Sequence, residues 1–563
     1  MRADDWIIDY LIKNGVTDIF GIPGVVVMDF LYAADKRTPK ITPHLNYHEQ
    51  GAAFAANGYA QVSNRLGVAY ATRGPGFTNM ITAIADAYYD SIPVLFLTAH
   101  SSLNLNTKMR AMNNQEIDTV SLVKNVTKRA VRIDNIEELQ REVAISVEVA
   151  MKGRKGPVFL DIYNELFSKE VHAKYTLYGS DITKDDSIEC VKAIVSGINK
   201  AKRPVILIGN GIREKSAIDC LIKISNTFNI PILSSRIGQD IIPNISHYYG
   251  FIGSRATRYS NFILGKADLI IAMGNRMSFP IQSKSFWPIV ERTHIIRVDL
   301  DDSEFERNIP NSVTFNCDAA LILKKLVNFD LEYENVDSWI NVCEKLKTTL
   351  KEWDKNQVIE MIMEIMSAVD KDTSFICDVG NHSFWVTSAY AYSDIQNRIL
   401  YSGAFGTLGC ALPKAIGTYY ATKKQVICFT GDQGVQFNIQ ELQYISHYKL
   451  PITIVILNNS SSGMIMEREV AKHGNYLLHT TPNDGYSYPE FEKIADCYGL
   501  NYSQIDLINK PIARVKQINE GPSIIEILVD RNIPLEPNLP IGNRCEELAP
   551  MIPRELFEKL DEL

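Results

Sequence analysis

The sequence predicts an α/β protein of three consecutive doubly wound domains with mostly parallel sheets. Three observations carry this expectation. Short β-branched runs recur along the chain, each bounded by Gly, Pro or Asp and separated by stretches of helical pattern. The runs are continuously apolar rather than alternating, as strands covered by helices on both faces require. Charged helical connectors at 181–191 and 330–357 divide the 563 residues into blocks of about 180, 150 and 200, each of ordinary domain size.

Taken in order, the first block holds predicted strands at 67–72, 94–98 and 158–161. The second holds 205–209, 269–273 and 295–299, and the third 375–378, 426–430, 452–457 and 524–528. After Asp530 come Pro534, Pro537, Pro540, Pro550 and Pro553, which predict an extended tail. No low-complexity tract and no repeat of solenoid period interrupts this pattern.

Apolar residues at 46% and charged residues at 22% exclude disorder as the overall state. Lys and Arg total 58 against 66 Asp and Glu, a net charge of −8 without a basic block, so nucleic acid and anionic membrane are not expected partners. The nine cysteines show neither zinc-ribbon nor C-x-x-C spacing and read as reduced thiols. Acids stand at Asp4 and Asp5, where a signal peptide needs an apolar core, and the longest apolar runs are too short for a membrane span. A soluble cytoplasmic protein is expected.

In open parallel sheets, ligands bind beyond the carboxyl ends of strands, where loops feed helix N-termini. Three loops fit: Thr72-Arg73-Gly74-Pro75-Gly76, Gly209-Asn210-Gly211 and Gly431-Asp432-Gln433-Gly434. None is a full G-x-G-x-x-G, because Asn79 and Glu214 occupy the last glycine position, and no Gly-Lys-Ser/Thr follows to make a Walker loop. A dinucleotide oxidoreductase is therefore disfavoured, and each loop alone also reads as ordinary turn chemistry. The third block says more. Asp432 follows one predicted strand and Asn458-Asn459 the next, so a carboxylate and a carboxamide oxygen face one crevice. Such oxygen donors suit a Mg²⁺–diphosphate group, although Asp and Asn also cap helices. His44 and His48 stand four apart like a helical metal pair, but Pro43 and the strand-like local pattern argue against a helix there.

Gly431-Asp432-Gln433-Gly434, then 23 intervening residues and Asn458-Asn459, resembles the diphosphate signature of thiamine-diphosphate enzymes. Tyr47-His48-Glu49-Gln50-Gly51-Ala52-Ala53, Ala56-Asn57-Gly58-Tyr59-Ala60 and the run from Thr72 to Asn79 resemble the pyrimidine-binding domain of that superfamily. The likeness is greatest to the acetolactate synthase large subunit family. Asp378-Val379-Gly380-Asn381-His382 and the run from Ser402 to Gly409 match in order. The resemblance implies a pyrimidine-binding domain at 1–175, a central domain at 186–330, a diphosphate-binding domain at 355–535 and the extended tail at 536–563. It further implies thiamine diphosphate and Mg²⁺ as cofactors.

By the same resemblance Glu49 hydrogen-bonds the pyrimidine nitrogen from a buried position and drives proton removal at the cofactor's reactive carbon. Leu408 bends the cofactor between its rings, and Gln115 lies on the substrate side. Asp432, Asn459 and the Ser461 carbonyl hold the metal. Gly24, Pro75, Asn79, Gly380, Asn381, His382, Gly406, Gly431, Gly434, Val435, Gly463 and Met464 line the cofactor. Lys128 resembles a lysine of the family and also reads as a solvated charge. The implied assembly is a homodimer or homotetramer with each site shared between subunits, and the substrates are small 2-oxo acids.

The implied activity is decarboxylation of a 2-oxo acid such as pyruvate, with ligation of the two-carbon unit to a second carbonyl. The alternatives are a non-ligating decarboxylase or a ligase for a sugar-like or anionic acceptor. A catalytically dead regulatory relative is argued against by the joint presence of Glu49, Asp432 and Asn459. The sequence also departs from the synthases. Glu467 and Arg468 replace a Gln and a pocket-shaping Trp, Val25 replaces a glycine and Asn114 an aromatic residue. Arg468 reads either as a fork for carboxylate or phosphate or as a surface arginine paired with Glu467 or Glu469. The synthases also bind FAD at segments matching Gly209-Asn210-Gly211 and Gly274-Asn275-Arg276, but the acidic–Arg run after Arg276 is replaced by Ser278-Phe279-Pro280. These segments read equally as a site for FAD, a site for ADP or an empty fold.

Overall fold

A computed structural model describes residues 1–103, 109–110, 113–174, 187–242, 247–278, 281–329, 331–333, 336–351, 353–474, 476–510, 518 and 521–563. Phe279, Pro280, residues 181–186 of the first connector and Asp330 of the second lie outside them.

Three six-stranded sheets follow one another along the chain, and every strand pairing in them is parallel. The first contains β1 (Asp18–Gly21), β2 (Thr42–Leu45), β3 (Gly67–Tyr70), β4 (Val94–His100), β5 (Arg129–Ile133) and β6 (Val158–Tyr163) in the order β2-β1-β3-β4-β6-β5. The second contains β7 (Pro204–Ile208), β8 (Ile232–Ser234), β9 (Tyr248–Phe251), β10 (Leu269–Met273), β11 (His294–Asp299) and β12 (Ser312–Asn316) in the order β12-β11-β10-β7-β8-β9. The third contains β13 (Ser374–Cys377), β14 (Ile399–Tyr401), β15 (Val426–Gly431), β16 (Ile452–Asn458), β17 (Asn501–Asp506) and β18 (Ser523–Leu528) in the order β14-β13-β15-β16-β18-β17. The central strands are buried along their length, as their unbroken apolar runs require.

The strand order reverses direction between β1 and β3, between β7 and β10, and between β13 and β15; the outer sheets turn back once more near their far edge, where β6 enters beside β4 and β18 beside β16. The loops at the first three reversals are the ones whose composition suggested ligand binding. A parallel sheet opens a crevice at such a reversal because neighbouring connections leave on opposite faces. In the middle sheet the two glycine loops pack on each other, since a Cβ on Gly209 would lie 2.2 Å from the Gly274 carbonyl oxygen.

Residues 1–180, 372–383 and 398–531 form one compact unit, which holds the first and third sheets. Within it the helix Glu49–Ser63 crosses the helix Ala411–Thr422 at close range. A Cβ on Gly417 would lie 1.8 Å from the Ala55 oxygen and one on Gly58 2.2 Å from the Lys414 oxygen, so the crossing requires bare backbone. Residues 181–371, 384–397 and 532–563 form a second unit around the middle sheet. Its final segment departs from the extended tail expected at 536–563. The prolines keep the chain extended at first, but Arg554–Asp561 is helical, with Phe557 and Leu560 buried. Pro553 stands at the N-cap of that helix, where a missing N–H costs nothing. Among the described residues no helix is long and apolar enough to cross a membrane.

Candidate functional site

The predicted residues of the first domain gather around the loop after β3. Gly74 adopts φ +61° and Pro75 starts the helix Pro75–Tyr89, whose first turn therefore lies at the sheet's reversal point. Glu49 opens the helix Glu49–Ser63, and His48 caps it by accepting from the Gln50 amide at 3.1 Å. The Glu49 Oε2 accepts from Asn79 Nδ2 at 2.9 Å, and its Oε1 lies 3.2 Å from a Cβ placed on Gly76. Gly24 packs on Thr72, and a Cβ on Gly74 would meet the Gln115 oxygen at 2.4 Å. Gly24, Glu49, Pro75, Asn79 and Gln115 thus form one cluster. Glu49 is half-buried in the single chain, less enclosed than expected, and Gln115 is exposed.

Sequence reasoning overlooked what holds the Gln115 turn. The buried Glu116 accepts from the Ser101 amide at 2.8 Å and lies 3.4 Å from Arg73 Nη1. These contacts tie residues beyond β4 to the turn at Gln115, a long-range link that no local motif signals. Lys128 stands outside the cluster: its ammonium bonds the Val149 and Lys152 carbonyls at the C-terminal end of the helix Ile136–Met151. His44 lies in β2 and His48 at a helix cap, so the two do not share a helix face. His44 instead bonds Asp18 at 2.8 Å and the Tyr444 hydroxyl at 3.0 Å.

A second cluster forms where β13 and β15 end. Asn381 and His382 open the helix Asn381–Tyr392, and Asp432 follows β15 directly. A Cβ on Gly431 would lie 3.2 Å from His382 Nδ1, and one on Gly463 would lie 2.4 Å from Asn381 Nδ2 and 2.8 Å from Asn459 Nδ2. A Cβ on Gly434 would lie 3.3 Å from Leu408 Cδ1. Leu408 is only half-buried, so it is not a plain core leucine. Val435 is buried beside Gly434, and Met464 is half-buried on the first turn of the helix Gly463–His473. Gly406, at φ +72°, faces open space.

The electrostatics of this cluster suit a bound diphosphate and cation. Asp432 is buried, and burial pushes its carboxyl up to about 7 against donations from the Tyr486 hydroxyl and the Ser461 amide. The Tyr486 bond is 2.7 Å long. His382 is buried and pushed down to about 4 by the same desolvation, so its ring is neutral. The buried atoms Asn381 Oδ1, His382 Nε2 and Ser461 Oγ have no hydrogen-bond partner in the protein. Buried polar atoms left unpaired are costly, and their concentration beside a glycine-lined surface fits a polar group bound there. Asp432, Asn459 and Ser461 carry carboxylate, carboxamide and carbonyl oxygens, the donor type a hard divalent ion takes.

Three further carboxylates position the loops. Asp378, pushed up to about 6 by burial, accepts from the Val379 amide at 2.7 Å and the Gly409 amide at 2.8 Å. It thereby joins the Leu408 loop to the loop of Asn381. Asp86 accepts from Ser402 Oγ at 2.6 Å and pairs with the buried Lys414 at 2.7 Å, while Asp90 accepts from the Gly403 and Ala404 amides. The Leu408 loop is thus fastened to the helix Pro75–Tyr89 at its start and to Asp378 at its end.

Tyr486 and Glu441 were not legible as site residues, because neither belongs to a motif and both act across long sequence separations. Glu441 begins the helix Glu441–His447, is fully buried, and accepts from Asn46 Nδ2 at 3.0 Å and from the Tyr47 amide at 3.2 Å. Burial pushes its carboxyl from 4.5 up to about 7. A raised carboxyl supports the fold while protonated in both states, and that support is lost as pH rises through the folded value. The Glu441→Gln variant of the cofactor-free protein should therefore gain thermal stability over wild type between pH 4.5 and about 7, with a constant difference above. Paired melting curves across that range check this, and a flat difference would contradict it.

Family models match each part of the chain. The N-terminal thiamine pyrophosphate (thiamine diphosphate) binding domain matches residues 1–122, the central domain of thiamine pyrophosphate enzymes residues 191–326, and the C-terminal thiamine pyrophosphate binding domain residues 378–527. The chain is 30% identical to a probable acetolactate synthase large subunit of Methanococcus aeolicus, over 100% of this chain and 97% of that protein. It is 29% identical to the acetolactate synthase large subunit of Lactococcus lactis subsp. lactis, over 96% of this chain and 95% of that protein. Acetolactate synthase isozyme 2 large subunit of Escherichia coli is 28% identical over 97% of this chain and 99% of its own length. With two glycine-lined clusters at the reversal points of the outer sheets and full-length similarity of this kind, the chain belongs to the thiamine-pyrophosphate enzyme family and is an enzyme of the acetolactate synthase type.

Proposed function

We propose that the enzyme decarboxylates pyruvate or a close 2-oxo acid and ligates the remaining two-carbon unit to a second carbonyl. The observation that carries this is the joint retention of the Glu49–Asn79 pair in one cluster and the buried Asp432 with Asn459 and Ser461 in the other. The functional domains we assign are 1–175, 186–330 and 355–535. Thiamine diphosphate, when bound, supplies the electron sink that accepts the electron pair left by CO₂ loss.

The residues do the rest. Asp432, the Asn459 side chain and the Ser461 carbonyl would hold Mg²⁺, while Asn381, His382 and the backbone at Gly380, Gly434 and Val435 would face the diphosphate. Leu408 would support the cofactor between its two rings, and Glu49, oriented by Asn79, would hold a proton at the pyrimidine nitrogen. Gln115 stands at the substrate side. Because Glu49 is incompletely enclosed in one chain, we place each site between two subunits of a homodimer or homotetramer, Glu49 from one and Asp432 from the other. All nine cysteines are free, which favours a reducing compartment such as the cytoplasm.

A second reading of the acceptor rests on Arg468. It is exposed and has no hydrogen-bond or ion-pair partner among the described residues. Glu469 instead accepts from Thr480 Oγ1 at 2.8 Å and from the Leu478 amide at 3.4 Å. An uncommitted guanidinium on the helix that begins beside Asn459 favours an acceptor bearing carboxylate or phosphate. Mass spectrometry of products from labelled pyruvate, alone, with 2-oxobutyrate and with a sugar phosphate, tests both readings. Acetolactate supports ligation between 2-oxo acids, a labelled sugar-phosphate adduct supports the anionic acceptor, and acetaldehyde alone overturns ligation. FAD is a candidate ligand at the reversal point between β7 and β10, and visible absorbance of the purified protein tests it.

A further inference from the structure

Glu441 takes no part in the chemistry assigned above, yet its surroundings are built around it. It is fully buried and has no ion-pair partner among the described residues. Its carboxylate accepts from the Asn46 side chain, the Tyr47 amide and the His48 amide, the three residues that lead into Glu49. A Cβ on Gly51 would lie 2.2 Å from the Glu441 Oε1, so the carboxylate fills space left by the missing side chain of the first helical turn. Its neighbours reach the same segment: Tyr444 bonds His44, and Asn438 Nδ2 approaches Gln50 Oε1 at 3.4 Å. Residues 438–444 therefore grip the chain on both sides of Glu49.

A buried acid without a cation is an expensive way to fasten a helix start, but it accepts on both oxygens, Oε2 from Asn46 and Oε1 from the Tyr47 amide, where a glutamine would turn an NH2 toward one of these donors. Burial raises this acid, and the donors that converge on it from Asn46, Tyr47 and His48, at the positive end of the helix Glu49–Ser63, oppose that rise. Catalytic geometry tolerates little error, and among the described residues the one side chain that bonds the Glu49 carboxylate is Asn79. We infer that Glu441 is a positioning residue that fixes the entry of the Glu49–Ser63 helix and so the aim of the Glu49 carboxylate. The inference rests on the role proposed for Glu49.

The test uses the full-length enzyme as wild type, Glu49→Gln, Glu441→Gln and the double variant. Two quantities are read: hydrogen–deuterium exchange at the cofactor's reactive carbon without substrate, and thiamine diphosphate affinity by calorimetry with Mg²⁺. We expect Glu441→Gln to slow exchange by about 10-fold or more while affinity changes by less than about 3-fold. The double variant should be no slower than Glu49→Gln, since a residue that acts through Glu49 has nothing left to aim. Wild-type exchange in Glu441→Gln beside slow exchange in Glu49→Gln overturns this inference alone, as does additive slowing in the double variant. Fast exchange in Glu49→Gln overturns both this inference and the role of Glu49. If Glu441→Gln does not fold, Asn46→Ala is read instead: it removes one donor, and exchange slowed by about 3-fold or more supports the inference whereas an unchanged rate overturns it.

Discussion

Glu49→Gln is expected to fold, to bind thiamine diphosphate somewhat more weakly, and to lose turnover by about 100- to 10,000-fold. The substitution preserves shape and leaves an oxygen that can still accept from Asn79 Nδ2, now at 2.9 Å from Glu49 Oε2. The glycine-lined surroundings at Gly76 are equally undisturbed. What is lost is the acid–base capacity, because an amide cannot exchange a proton with the pyrimidine nitrogen. A loss confined to kcat, with KM little changed, would mark a role in chemistry rather than in substrate binding. Steady-state kinetics beside a melting curve make the comparison, and near-normal turnover in a folded variant would remove Glu49 from its assigned place.

Asp432→Asn should produce the opposite pattern, intact folding with binding lost. The wild-type carboxylate is buried and has no salt-bridge partner among the described residues. Replacing it with a neutral group of the same size removes an uncompensated charge from the interior, so the cofactor-free protein should melt no lower than wild type. Thiamine diphosphate affinity in Mg²⁺ should nevertheless fall by about 100-fold or more, because the cation loses its one anionic protein ligand. A purely structural aspartate would show the reverse, lower stability with binding retained. Melting and titration of the same preparation separate the two.

How much of this was legible in the sequence depended on burial. The strands recognised from apolar runs all lie in the interior of their sheets, and among the described residues the interior strands not recognised are β1 and β8, which are four and three residues long. The six edge strands β2, β5, β9, β12, β14 and β17 escaped. An edge strand needs less apolar surface, and β17 and β12 have mixed polar sequences with exposed positions. The helix Arg554–Asp561 was hidden by the prolines before it, although Phe557 and Leu560 already have helical spacing.

The clusters were readable because their glycines and acids are concentrated in short loops at strand ends, which the parallel topology then gathers at one crevice. Tyr486 and Glu441 could not be read. Tyr486 sits in an irregular stretch 54 positions beyond Asp432, and Glu441 meets Asn46 across 395 positions. Periodicity carries no information at such range, and only the folded chain brings these groups together.

The central claim is that an acid of the N-terminal domain and the oxygen donors of the C-terminal domain serve one bound cofactor. The most direct measurement is calorimetric titration of the full-length protein with thiamine diphosphate in the presence of Mg²⁺, repeated after chelation of the metal. Saturable binding of one molecule per chain, abolished when the metal is removed, is the predicted result. Absence of binding heat with the metal present, in either order of addition, would contradict it.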